Sequence, residues 1–168
     1  VAICAVHIKY DTKIMGKHDI ALGRLQRPIK LDFYPDLYEK RDEVDKVCGI
    51  SGYGFNGDFN SGSTASNFDN KRRAGSNIID AINDNCLTFS VHTEPKTTLE
   101  FLIAVGDSGG GLFIDKKLAG INSYVYATDG KSNSDFGDVG CSTRISDYVE
   151  WINKTQTIIE EIIANEKS

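Results

Sequence analysis

The chain has 168 residues, 40% of them hydrophobic and 26% charged, with a formal net charge of −5. That length suits one sizeable core, or one barrel plus part of another. No run approaches the roughly eighteen apolar residues of a membrane span, and the acidic balance argues against a nucleic-acid partner, whose phosphates need a basic surface.

In chain order, strand-like runs fall at residues 2–9, 20–26, 47–53, 76–82, 86–92, 99–105, 111–115, 119–126 and 137–145. Stretches rich in Gly, Ser, Asn and Asp at 56–70 and 128–135 are expected to turn. Short strands separated by such turns predict an antiparallel barrel or sandwich. The end is different. After Ser146 or Asp147, either a candidate N-cap, apolar residues at Tyr148, Trp151, Ile152, Ile158, Ile159, Ile162 and Ile163 trace one face of an amphipathic helix. Packing on the β-domain and binding of a partner are both open to that helix.

Lys71-Arg72-Arg73 is the only basic run, and a solvated loop accounts for it. Cys4, Cys48, Cys86 and Cys141 lie far apart without C-x-x-C spacing, so two disulfides are possible in any of three pairings. His7, His18 and His92 are scattered and form no metal constellation. No metal or other cofactor is expected. Asn153-Lys154-Thr155 has the form of a glycosylation sequon, expected to be a chance match on a helix. Val1 is not an initiator methionine and no signal peptide is visible, so the reading frame is expected to begin upstream.

The most pointed feature is Gly106-Asp107-Ser108-Gly109-Gly110-Gly111. Glycines permit backbone conformations and close approaches that a Cβ blocks, and such a loop can aim successive N–H groups at one point, where they stabilise an oxyanion. A nucleophile elbow of the α/β-hydrolase kind needs a helix directly after the serine and a histidine later in the chain. Here residues 109–126 read as two strands around a Lys-Lys turn, and all three histidines precede Ser108. That reading fails.

Several segments, in order and over nearly the whole chain, resemble the trypsin/chymotrypsin family of serine peptidases, its bacterial members in particular. Alongside the Ser108 loop, His18-Asp19-Ile20-Ala21-Leu22 resembles the family's N-D-I-A-L, and His7-Ile8-Lys9-Tyr10 the H-P-x-Y before it. Cys48-Gly49-Ile50-Ser51-Gly52-Tyr53-Gly54 is similar to C-x-I-S-G-W-G, Leu118-Ala119-Gly120-Ile121-Asn122-Ser123-Tyr124 to L-x-G-I-x-S-W, and Tyr148-Val149-Glu150-Trp151-Ile152 to Y-V-x-W-I.

The resemblance implies an all-β fold: a chymotrypsin-like double antiparallel Greek-key β-barrel, its first barrel incomplete, with a C-terminal amphipathic helix. Residues 1–45 would be the remainder of the first barrel and the linker, 46–145 the second barrel, and 146–168 the helix. It implies a serine endopeptidase acting on peptide or protein substrates, secreted or periplasmic. Ser108 would be the nucleophile, Asp19 the carboxylate that orients an imidazole, and the N–H groups of Gly106 and Ser108 the oxyanion hole. Asp107 would pair with a new amino terminus on activation. Ser123, Tyr124 and Val125 would hold substrate by strand addition, and Ser123 would lie beside Asp19.

Leu102, Val125 and Gly140 fall on positions that line the specificity pocket, which implies an aliphatic or small apolar preference; plain core packing of Leu102 is equally open. The basic run becomes a candidate autolysis loop. Cys48 matches a family cysteine whose usual partner position is Ile114 here, so the familiar disulfide framework is largely lost.

One part is missing. A serine hydroxyl needs an adjacent base, which in this family precedes the aspartate by several dozen residues in an alanine-histidine-cysteine motif. Only 18 residues precede Asp19 here, and none resembles that motif. His7 falls on a surface position, His18 neighbours Asp19 on a strand and should point away from it, and His92 has no catalytic context. Two readings remain: a fragment whose N-terminal segment, completing the first barrel, carries the base, or a non-catalytic homologue that acts as a binding module.

Overall fold

The computed structural model describes residues 2–165. Within them run strands β1 (Ile3–Val6), β2 (Ala21–Arg24), β3 (Val47–Gly52), β4 (Gly57–Asp58), β5 (Gly62–Ser63), β6 (Arg73–Ile78), β7 (Ala81–Asn83), β8 (Cys86–Ser90), β9 (Gly111–Ile114), β10 (Lys117–Tyr126) and β11 (Val139–Arg144), then helix α1 (Val149–Asn165).

Seven strands form one antiparallel sheet in the order β6-β3-β9-β10-β11-β8-β7. Its two outermost strands are consecutive in the chain and separated only by Ile79 and Asp80, so the sheet curls until its edges approach each other. Asn77 helps close it: its Nδ2 donates to Ser90 O (3.1 Å) and to Phe101 O (2.9 Å). The interior holds Ile50, Ile79, Leu87, Phe89, Leu112 and Ile114, each at most 2% exposed. Full burial of a side chain of this size contributes about 1.5–3 kcal/mol.

Two irregularities in the ladder shape the candidate site. Asp115 (φ 48°) and Lys116 (φ 64°) make the tight turn between β9 and β10, one residue earlier than the predicted Lys-Lys turn. In β10, Asn122 faces Ser142 and Tyr124 faces Cys141, which leaves Ser123 as the extra residue of a β-bulge.

The expected barrel and terminal helix are present, with local differences. Residues 99–105 do not form a strand. Phe101 N–H reaches Ser76 O, but Ala104 N–H turns to the Asp107 carboxylate, so the segment never enters a ladder. The run 76–82 divides between β6 and β7, because Ile79 N–H donates to Lys46 O and Asp80 N–H to Thr88 O. Helix α1 begins at Val149, beyond both expected caps. Ser146 Oγ instead donates to Glu43 Oε1 (2.7 Å), and the Asp147 carboxylate takes Arg41, Asn85 and Arg144. The helix expected to reach 168 is seen to Asn165; residues 166–168 lie outside the described residues, as does Val1.

The helix buries Ile152, Thr155 and Ile159 on one face, and Ile152 joins Ile20, Ile145 and Tyr148 in a second apolar cluster against Leu37, Leu118 and Ile121. The linker is tied to the barrel by Tyr38 N–H on Leu118 O and Leu118 N–H on Asp36 O, both 2.8 Å. Its fully buried Glu43 carboxylate accepts from Arg144 Nε (2.9 Å) and Nη2 (2.6 Å). Burial pushes the Glu43 carboxyl up, but the hydrogen bonds from Arg144 and Ser146 outweigh it and hold the group below its ordinary range.

Residues 2–34 are built differently. Among the described residues β1 and β2 pair only with each other, and Val6, Ile8 and Met15 are 57%, 92% and 70% exposed. An open cavity of about 950 Å³ lies between β2, the linker, the β9–β10 turn and α1, lined by Leu22, Leu37, Leu118, Ile121 and Trp151 among others. Among the described residues, no second apolar layer of the kind such strands need covers the Val6, Ile8 and Met15 side chains.

Candidate active site

Ser108 is exposed in the turn that leads into β9. Gly106 (φ 99°) and Gly109 (φ 80°) flank it in backbone conformations that other residues avoid. A Cβ on Gly106 would also come within 3.0 Å of Gly54 Cα. The turn hangs from β10: Gly109 N–H donates to Asn122 O and Asn122 N–H to Gly110 O, both at 2.8 Å. The buried Asn122 side chain reinforces it, with Nδ2 on Asp107 O (3.4 Å) and Oδ1 accepting from Ser142 Oγ (3.1 Å). Among the described residues, neither Gly106 N–H nor Ser108 N–H has an acceptor.

Asp107 points the other way, into the protein. Its buried carboxylate accepts from Gly54 N–H at 2.8 Å and Ala104 N–H at 2.9 Å, and a Cβ on Gly52 or Gly54 would collide with it. A cavity of about 320 Å³ adjoins it, lined by Phe55, Phe59, Ala104 and Ser134 among others.

Asp19 and Ser108 are joined through one residue. Ser123 Oγ donates to Asp19 Oδ2 at 2.6 Å, and Ser108 Oγ donates to Ser123 O at 3.2 Å. Asp19 is further fixed by Thr143 Oγ1 on its carbonyl at 2.8 Å. Ser123 reaches both because the bulge leaves it unpaired beyond the end of β9.

The histidines lie elsewhere. His7 and His18 stack with centroids 4.8 Å apart, and His18 Nδ1 is 2.9 Å from Tyr148 Oη. Burial, followed by nearby positive charge (His18 and Lys9 for His7, Lys9 and Lys17 for His18), lowers both pKa values. His92 Nδ1 sits 3.7 Å from Glu100 Oε1. Among the described residues, none of the three rings hydrogen-bonds to Ser108 or Asp19.

Tyr124 lays its ring over Gly16; burial, then hydrogen bonding to the Cys141 and Cys86 thiols, raises its pKa. Leu102 is buried in the barrel core, and Val125 packs against the same cluster. Gly140 lies opposite Val125 on β11. All four cysteines are free thiols. Among the described residues no group of three or more His, Cys, Asp or Glu side chains could hold a metal ion, and no helix is long and apolar enough to cross a membrane.

Sequence reasoning missed Asn122, Ser142 and Thr143. Their burial is set by strand neighbours distant in the chain, and a polar residue in a strand-like run is the only local sign of it. Chemically, an exposed hydroxyl in a turn with two unpaired amides, linked through Ser123 to a carboxylate, suits attack on an acyl carbon, provided that a base takes the hydroxyl proton.

A sequence profile described as Trypsin matches residues 1–152. No curated protein matches the chain. Among solved structures, neuropsin, described as a serine protease expressed in the limbic system of mouse brain, superposes with a TM-score of 0.72 at 26% identity. The match covers 93% of this chain and 70% of the neuropsin chain.

Proposed function

The chain belongs to the trypsin family of serine proteases, and from that membership we propose that it is the larger part of an endopeptidase that cleaves peptide bonds through an acyl-enzyme on Ser108. The observation that carries this reading is the Ser108–Ser123–Asp19 connection, which gathers a nucleophile and an orienting carboxylate around one strand position.

In the proposed reaction Ser108 Oγ attacks the substrate carbonyl while its proton passes to an imidazole held by Asp19. The Gly106 and Ser108 N–H groups receive the oxyanion. The imidazole then protonates the leaving amine, and water hydrolyses the acyl-enzyme. These steps are the established mechanism of the family. Substrate peptide lies along residues 123–125, adding to the strand edge. The carboxylate of Asp107, beside its 320 Å³ cavity, is the receptor for an amino-terminal ammonium that orders the turn. Proteases of this family are typically secreted, and a secreted or periplasmic setting goes with the reading.

The imidazole comes from outside these 168 residues, on a segment that also completes the first barrel. Three observations support this: among the described residues none of the histidine rings hydrogen-bonds to Ser108 or Asp19, Val6, Ile8 and Met15 stand in solvent, and an open groove of about 950 Å³ is lined by β2, the linker and α1.

The test is covalent labelling of Ser108 by a fluorophosphonate. The 168-residue chain alone should react slowly or not at all. Adding the upstream segment should accelerate labelling by a factor on the order of 10² to 10⁴, the usual worth of a positioned general base. Rapid labelling of the chain alone would mean that the base lies within it. Absence of labelling in the folded, completed protein would turn the assignment to a non-catalytic binding module.

A further inference from the structure

Three neighbouring strands place Val125, Gly140 and Phe89 in one row. Val125 faces Gly140 across β10 and β11, and Gly140 faces Phe89 across β11 and β8. Directly opposed residues of antiparallel strands project to the same side of the sheet, so the three positions share a face. Phe89 is fully buried. Its ring atoms Cε2 and Cζ lie 2.5 and 2.8 Å from the point that a Cβ on Gly140 would occupy, and Leu102 Cδ1 lies 3.0 Å from that point. Val125, half-buried, packs on the cluster that contains both Phe89 and Leu102.

We propose that Phe89 is the residue that sets substrate selectivity at this site: its ring fills, from within the protein, the slot that Leu102, Val125 and Gly140 would otherwise offer to a substrate side chain. The residue on the acyl side of the cleaved bond is then limited to glycine, alanine or a side chain of similar size. Gly140 serves this arrangement by leaving room for the phenyl ring rather than for substrate. A longer substrate side chain would have to expel that ring from a close-packed core, and such cores do not yield without loss of stability. The row sits within reach of substrate because Val125 is two residues from Ser123, whose carbonyl accepts the Ser108 hydroxyl.

This inference rests on the protease reading, and its test is chosen to stand apart from turnover. Wild-type chain and the variants Phe89→Ala and Phe89→Val, each checked for folding by near-ultraviolet circular dichroism, are titrated calorimetrically with blocked tetrapeptides that carry alanine, leucine or phenylalanine at the acyl-side position. Wild type should prefer the alanine peptide. Phe89→Ala should bind the phenylalanine peptide about tenfold more tightly than wild type does, within the 10- to 200-fold range of small pocket changes, so that the preference for the alanine peptide is reduced or reversed. Should Phe89→Ala fail to fold, Phe89→Val must show the same gain for leucine.

Equal wild-type affinity for the three peptides, a folded variant with no gain, or no binding by any of the proteins would each overturn the proposal. A gain in affinity for the larger peptide with Ser108 still inert to fluorophosphonate in the completed protein would leave the Phe89 assignment standing and sink only the acyl-enzyme.

Discussion

Ser123 donates its hydroxyl to Asp19 at 2.6 Å while its carbonyl, on the same residue, accepts the Ser108 hydroxyl at 3.2 Å. One strand position therefore fixes the Asp19 carboxylate and the Ser108 hydroxyl relative to each other. Ser123→Ala should free the Asp19 carboxylate and slow fluorophosphonate labelling of Ser108, in the chain supplied with the proposed upstream segment, by about tenfold, the scale of one charge-assisted hydrogen bond. Ser123→Thr should recover part of that rate. An unchanged rate in Ser123→Ala would remove the residue from the catalytic assembly.

Asp107 is the acceptor for two backbone N–H groups that have no other partner among the described residues. Asp107→Ala strands both, and unsatisfied buried donors cost about 1–3 kcal/mol each. Urea denaturation should show a loss on the order of 3 kcal/mol for Asp107→Ala and a smaller loss for Asp107→Asn, which retains one acceptor oxygen.

The Glu43–Arg144 pair lies wholly inside the protein, with Ser146 as a third partner. Glu43→Ala strips the buried Arg144 guanidinium of its two shortest carboxylate bonds and leaves it only the 3.4 Å contact with Asp147, which should cost about 3–5 kcal/mol, whereas the double replacement Glu43→Leu with Arg144→Met should recover most of it. Equal losses in the single and double variants, measured by denaturant titration, would contradict the account.

His7 and His18 have pKa values lowered below 6.5, chiefly by burial. A base depressed on folding is neutral in both states above its unfolded value, and below that value the unfolded chain takes the proton first. Their stabilising contribution is therefore present above pH 6.5 and lost as the pH falls through the folded values. Melting temperature should fall on going from pH 7.5 to 5.5 by less in the double variant His7→Gln, His18→Gln than in wild type. An equal fall would place the acid sensitivity elsewhere.

Legibility in the sequence depended on whether the cause of a feature was local. The Ser108 turn, the hairpin around Asp115 and Lys116 and the alternating strands carry their cause in neighbouring residues, and they are legible to within a residue or two. So is the apolar stripe that seats Ile152 and Ile159. Where long-range partners decide, the sequence is silent. Residues 99–105 have a strand's composition, but the Asp107 carboxylate captures the Ala104 N–H. Ser146 and Asp147 look like helix caps until Glu43 and Arg41, more than a hundred residues away in the chain, claim their side chains. Nothing local marks Phe89 as the filling of a slot, since that emerges only when β8, β11 and β10 lie side by side.

The bulge in β10 makes the site a matter of counting. Deleting one residue between 122 and 124 would restore an unbroken ladder with β11 and leave the barrel's stacking of apolar side chains largely intact. Yet no amino acid would then stand where its two oxygens can serve opposite neighbours, and the link between Asp19 and Ser108 would vanish from a molecule that still looked sound.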